Sequence, residues 1–350
     1  MGRIGRRAFI RTGAVAALAT AVAGRRGAAP AESQTLNVNT WGGSWTAAEE
    51  AAYFKPFTEK TGIAIATVAP VSFAKLKAQV QTRNYEWDVS TINPTELRQA
   101  ELEGLLEPID WSIVNRAALG PNQVSSQGIG AVALATGLAY RKDKFPTGGP
   151  TSWSDFWDVK RFPGPRSLFN RSFTVMAFAL LADGVAPSQL YPMDVDRALR
   201  KLSEIKPHIK VWWTQGNQSQ QLIRDGEVDM ISIWNARANE LAEAAVPVEF
   251  VWKQAETYGS YWFVPKGTPR AQSAWRFIDF AVQPRPMAEF CTKLSYGPLN
   301  PKAFEFIPPA QARKMPTYPE HLKIGFFPDP AWLGPNMAMI KERFAQWLAT

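Results

Sequence analysis

Apolar residues recur along this chain with two periods in regular succession, every second residue and then about every 3.6. Leu36-Asn37-Val38-Asn39-Thr40-Trp41 alternates as a strand and runs into Gly42-Gly43. Ser44 can cap a helix over 45–60, and Thr61-Gly62 stops it. Strands follow over 63–68 and 88–92, with helices over 73–83 and 95–103, the last closed by Gly104. Such alternation predicts a wound, mainly parallel sheet, and ligands of these sheets bind at the carboxyl ends of strands. Trp41-Gly42-Gly43 and Asn93-Pro94-Thr95 occupy two such ends.

A strand over 132–140 leads out of this unit, and the Pro- and Gly-rich stretch 146–150 separates it from new structure at Trp153. Helices over 174–182, 195–205, 219–225 and 238–245 then alternate with strands over 210–213, 228–234 and 248–252. A strand over 260–264, helices over 271–281 and 285–294, a Pro-rich stretch from Pro298 and a last helix over 337–348 complete the chain. The fold class predicted is α/β with two lobes, each a wound sheet flanked by helices, and a ligand cleft between them. Lobe 1 takes 32–140, lobe 2 takes 141–257, and 258–350 returns to lobe 1 and adds C-terminal helices. Two crossings, near 140 and 257, would permit hinge closure on a ligand.

The first residues change the charge argument. Arg6-Arg7 precedes an apolar stretch over 14–23, and Ala29-Pro30-Ala31 follows. This pattern predicts a twin-arginine export leader over 1–31, cleaved near Ala31, and a periplasmic location. The leader holds six arginines and no acid, so 33 basic residues face 31 acidic ones in the remainder and the net charge falls from +8 to about +2. A nucleic-acid partner is therefore not indicated. The remaining length, roughly 320 residues, suffices for two cored domains. The single cysteine, Cys291, excludes an internal disulfide and a cysteine metal cluster, and no cysteine adjoins the cleavage site to carry a lipid.

Catalytic motifs are absent: there is no G-x-S-x-G, H-E-x-x-H, P-loop or dinucleotide fingerprint, and no cofactor is expected. Cys291 beside Phe290 in a helical pattern fits packing, and neither His208 nor His321 has a partner at ligand spacing. The stronger signal lies at predicted strand ends. Trp41, Asn93, Trp213 with Gln215, Trp234 with Asn235, Tyr258 and Tyr296 all stand there. Aromatic side chains gathered this way suit a small cationic or amine ligand, although any single one can be a core residue. Arg171, near a helix start, is the candidate to hold a carboxylate, with a surface arginine as the alternative. Glu256 is the acidic candidate at the second crossing.

The series Thr40-Trp41, Pro56-Phe57-Thr58-Glu59-Lys60-Thr61-Gly62, Glu86-Trp87-Asp88-Val89, Glu103-Gly104-Leu105-Leu106-Glu107-Pro108-Ile109-Asp110, Asp225-Gly226-Glu227-Val228, Ile233-Trp234-Asn235 and Tyr296-Gly297-Pro298-Leu299-Asn300 resembles the type II periplasmic solute-binding proteins of ABC importers, in the spermidine/putrescine-binding branch. The resemblance implies a two-lobed monomer that captures a solute and delivers it to a membrane permease. It also implies ligand-stacking roles for Trp41, Trp234, Tyr258 and Tyr296 and a polar contact from Asn93. Where polyamine binders place carboxylates, this chain has Gly43, Asn170 and Ser260. A dication without carboxylates would lose several kcal/mol of solvation. A monoamine or a γ-aminobutyrate-like zwitterion fits better, its carboxylate on Arg171 and its ammonium among the aromatics and Glu256. The competing readings are a true spermidine/putrescine binder, a periplasmic enzyme using Cys291, and ferric capture through Tyr258 and Tyr261.

Overall fold

The structure, a computed structural model, describes residues 35–120 and 123–350, so the expected leader lies outside the described residues. The opening alternation forms a strand over Leu36–Asn39 (β1). After it the chain turns at Gly42 and Gly43, both at positive φ (81° and 55°), where a side chain would be strained. The single helix expected over 45–60 is instead Gly43–Glu49 (α1), a π-helical turn over Glu50–Phe54, and Lys55–Thr61 (α2). Pro56 has no amide to give to the carbonyl one turn back, and the widened turn absorbs the missing bond. Ile65–Val68 (β2) pairs in parallel with β1. Phe73–Thr82 (α3), Ser90–Ile92 (β3) and Pro94–Leu102 (α4) follow as expected within a few residues.

Two long strands carry the architecture. Ile129–Arg141 (β4) pairs antiparallel with a strand over Val248–Phe263, the eighth in chain order (β8). Between them lie Trp153–Trp157 (α5), Arg166–Phe169 (β5), Ser172–Ala182 (α6), Val195–Ile205 (α7), Ile209–Trp213 (β6), Gly216–Arg224 (α8), Met230–Trp234 (β7) and Asn235–Glu243 (α9). The main sheet has the order β3-β8-β4-β7-β5-β6, and Gly297–Pro298 (β9) adds to β4. β5 is parallel to β6 and β7, whereas β4 and β8 run antiparallel to their neighbours. Strands expected separately at 248–252 and 260–264 are thus one. Its ladder breaks locally, with Thr136 facing Glu256 and Leu138 facing Val251, and Gln254 adopts φ 60°. The looped-out residues are still satisfied: Gln254 accepts from the Trp153 amide at 3.1 Å and from its indole at 3.0 Å.

Ala271–Ala281 (α10), Pro284–Leu294 (α11), Pro309–Ala312 (α12), Pro319–Ile324 (α13) and Pro330–Ala349 (α14) complete the chain. One core gathers β1, α1, α2, α10 and α11. A second surrounds α6, whose residues from Ser172 to Leu181 are all buried, as a helix apolar on nearly every face requires. The last helix starts earlier than expected, because Asp329 caps it and Pro330 fits its first turn. It seats Leu333, Met337, Ile340 and Phe344 in the second core and also packs on α4, so it links two regions that the sequence pattern kept apart. Among the described residues no helix is long and apolar enough to cross a membrane. Trp153 stacks on Phe178 at 3.8 Å inside the second core. Trp153→Ala is expected to lower unfolding free energy by about 3–5 kcal/mol in urea denaturation; a loss below about 1 kcal/mol would show that this stack does not hold the core.

Candidate functional site

The turn after β3, the turn after β5 and the face of α14 enclose a cavity of about 720 Å³. Asn93 stands at its edge because it caps α4: its side-chain oxygen accepts from the amides of Thr95 and Glu96 at 3.1 and 3.0 Å. Its Nδ2 donates to the Glu96 carboxylate at 2.7 Å, which aims Glu96 along the same wall. Burial pushes the Glu96 carboxyl up, against the pull of Arg171 and Lys341.

Arg171 is brought there by β5 and α6. It stays extended (φ −134°) as the residue ahead of α6, and its guanidinium lies over the rings of Phe173 and Tyr258, 4.3 and 4.8 Å from their centroids. Among the described residues it forms no ion pair. Ser172 and Phe173, in the first turn of α6, line the same cavity, so the positive end of that helix faces it too. The site therefore offers a ring-clasped cation and a helix terminus on one wall and a carboxylate on another. That is a chemistry that can hold a small charged solute.

The aromatic candidates divide into two groups. Trp41 is 46% exposed, donates to Thr91 Oγ at 3.0 Å and meets Trp45 edge-on at 6.4 Å. Trp45 in turn packs on Tyr296 at 5.4 Å, and Tyr296 lies close enough to Tyr258 for burial and that neighbour to raise its hydroxyl pKa. In the other group Trp234 stands edge-on to both Trp213 and Phe169 at 5.6 Å. Trp213 is wholly buried, stacks flat on Phe169 at 4.1 Å and donates to Ser232 O at 2.8 Å. It therefore backs Phe169, one of the rings that line the cavity.

Two polar candidates also sit behind the surface. Asn235 is buried with both amide ends used, accepting from the Ala135 amide at 3.0 Å and donating to Ser295 O at 2.9 Å. Glu256 is buried too, accepting from Thr174 Oγ at 2.8 Å, which ties β8 to α6, and among the described residues its other oxygen has no partner. Burial raises its pKa and Arg171 opposes the shift. Gln215 is exposed at the start of α8 and makes no side-chain cap there.

Sequence reasoning missed Glu96, Phe169, Phe173, Lys341 and Phe344. The Asn93-x-x-Glu96 spacing is a capping pattern and could have named the first. No local signal brings α14 to the cavity. Cys291 is buried in the first core, and burial pushes its thiol far above the ordinary value, the setting of a packing cysteine. His321 stacks on Trp252 at 3.8 Å, away from the cavity lining. Among the described residues no three His, Cys, Asp or Glu side chains come together as a metal site.

A two-ended sheet with a charged cavity at its strand ends defines a solute-capturing protein, and residues 52–320 match the model of the bacterial extracellular solute-binding proteins. The chain belongs to that family, whose members act outside the cytoplasm. It is similar to the gamma-aminobutyric acid-binding protein of Pseudomonas aeruginosa, with 34% identity over 329 residues, 92% of this chain and 93% of that one. It is 22% identical to the spermidine/putrescine-binding periplasmic protein of Escherichia coli K12 over 290 residues, 79% of this chain and 82% of that one. In structure it resembles an ABC transporter substrate-binding protein from Bradyrhizobium japonicum USDA 110 at a TM-score of 0.86 and 38% identity, covering 90% of this chain and 99% of the other.

The raised Glu256 carboxyl carries a sign. Its folded value lies above the ordinary 4.5, so folding disfavours its charged form, and wild-type stability erodes as pH rises from about 4.5 toward the folded value. Glu256→Gln lacks that loss. The gap in unfolding free energy between wild type and variant is expected to move in the variant's favour between pH 4 and pH 7; a constant gap would contradict it.

Proposed function

We propose that this chain is the periplasmic capture component of an ABC importer for a small zwitterion of γ-amino acid type. An N-terminal twin-arginine leader would export it, and it would work as a monomer that passes its solute to an inner-membrane permease. The two ends of the sheet act as lobes that close on the solute. The observation that carries this reading is the Arg171 guanidinium on the cavity wall, clasped by two rings and paired with no carboxylate among the described residues. A guanidinium so held is preorganised for a bidentate contact with a solute carboxylate.

Glu96, on the opposite wall, suits the ammonium, and its raised pKa would fall as that cation approached. Trp41, Trp234, Tyr258 and Tyr296 supply ring faces, with Trp213 and Asn235 holding them from behind; Asn93 orients Glu96. Gln215 is left at the rim. A polyamine is disfavoured on physical grounds. It would bring a second cation toward Arg171 and find one carboxylate, Glu96, among the cavity-lining residues. Binding of γ-aminobutyrate by the Pseudomonas relative, at the higher identity, supports the same choice.

Titration calorimetry is expected to give micromolar binding of γ-aminobutyrate and none of spermidine. Arg171→Ala should weaken γ-aminobutyrate by roughly 10- to 100-fold, since a charge-assisted hydrogen bond contributes about 1.5–3 kcal/mol. Arg171→Lys should recover part of the loss, because a point charge replaces a fork. Micromolar spermidine binding that survives Arg171→Ala would overturn the reading.

A further inference from the structure

Beside the Trp41 turn, outside the cavity lining, lies a carboxyl to which the proposed solute capture gives no role. Glu49, at the end of α1, is completely buried and forms no ion pair among the described residues. Its Oε2 accepts from the Thr40 hydroxyl at 2.5 Å, and Thr40 adjoins Trp41. Thr40 also bonds Thr46 Oγ at 2.8 Å. A hydroxyl has one proton, so when Thr40 gives its own to Glu49 the Thr46 hydroxyl must donate to Thr40. The order of donors then points one way, from Thr46 through Thr40 to Glu49.

Among the described residues the other oxygen, Oε1, has no hydrogen-bond partner, and the Trp45 indole N–H and Tyr53 hydroxyl are also buried without one. Trp45 is the ring that joins Trp41 to Tyr296. Glu49 thus holds the Thr40 side chain, next to Trp41 in the chain, and lies near enough to Trp45, on which Trp41 and Tyr296 lean, for that indole to favour its charged form.

We propose that Glu49 is a positioning residue for solute capture, its buried side chain fixing Thr40 and Trp45 and through them the Trp41–Trp45–Tyr296 wall. This rests on the reading that the wall meets the solute. Burial pushes the carboxyl up to about 8, against the smaller opposing pull of Thr40 and Trp45. At neutral pH Glu49 is therefore mainly uncharged. Above that range it becomes an uncompensated anion under the wall. The titratable groups around it offer no relief. Tyr53 on the π-helical turn is pushed far up by burial and further by Glu49 itself and by Cys291 and Glu289 on α11, and Cys291 and Tyr296 are raised by their own burial, so none of them supplies a cation.

Two arms test the proposal. In ligand-free protein, near-ultraviolet circular dichroism should change with an inflection near pH 8 in the wild type, be flat in Glu49→Gln, and inflect at higher pH in Thr40→Val, which removes the bond that favours the anion. In the second arm the γ-aminobutyrate dissociation constant of the wild type should rise about tenfold between pH 6.5 and 9, the size of one unit of differential pKa. Glu49→Gln should stay within about threefold of the pH 6.5 value throughout, since the amide is an uncharged isostere. A dichroism profile that is the same in the wild type and Glu49→Gln, or the same in the wild type and Thr40→Val, overturns the role of Glu49 whether or not any solute binds. If the dichroism behaves as stated but γ-aminobutyrate affinity is pH-independent, the wall does not meet the solute and the positioning role is rejected. If γ-aminobutyrate fails to bind at all, the solute assignment falls, while the dichroism still decides what Glu49 does to the wall.

Discussion

The antiparallel ladder between β4 and β8 is the constraint on which the rest depends. Both strands run from the core around α10 and α11 into the region around α6, so one set of hydrogen bonds spans both ends of the sheet. The ladder shifts register once between Gly130 and Val132, runs regularly from Val132–Ser260 to Thr136–Glu256, and yields again just beyond, where Gln254 takes a left-handed conformation. A break of this kind bends and twists a sheet without severing it. It falls beside Arg171, Tyr258 and Glu256, the groups that join α6 to β8. The place where the sheet can flex is thus the place where charge is gathered.

That position explains how the polar groups divide their work. Groups behind the surface have their bonds used within the protein: Asn235 ties β4 to the turn before β9, Glu256 ties β8 to α6, and Trp213 braces Phe169. Groups at the surface are left with capacity. Among the described residues Arg171 has ring contacts but no ion pair; Trp41 is half exposed, and the Glu96 carboxylate is held by Asn93. A capture site needs this asymmetry, since a rigid backing spares the solute the entropy of ordering the pocket.

Much of this was legible in the sequence, and the failures have physical causes. Strand–helix alternation identified the α/β class, because periods of two and 3.6 report burial directly. Arg171 and Asn93 were legible as strand-end residues and do share one cavity. Period alone could not separate a ring that faces a solute from one that braces it, and so Trp213 and Trp41 looked alike. Glu256 was legible as an acid at the second crossing but not as a strand residue, because its ladder is interrupted and the pattern breaks at Gln254. The contribution of α14 was out of reach, because Met337 and Phe344 find their partners on helices far away in sequence. Glu49 carried no signal, since one acid in an amphipathic helix reads as solvated until its burial is known.

The most direct measurement is a crystal structure of the protein grown with γ-aminobutyrate. The account expects the solute carboxylate within hydrogen-bond reach of the Arg171 guanidinium, its ammonium toward Glu96 and the ring faces, and the two ends of the sheet drawn together about the β4–β8 break. A solute lodged elsewhere, with Arg171 still clasped by Phe173 and Tyr258 and touching nothing else, would contradict it.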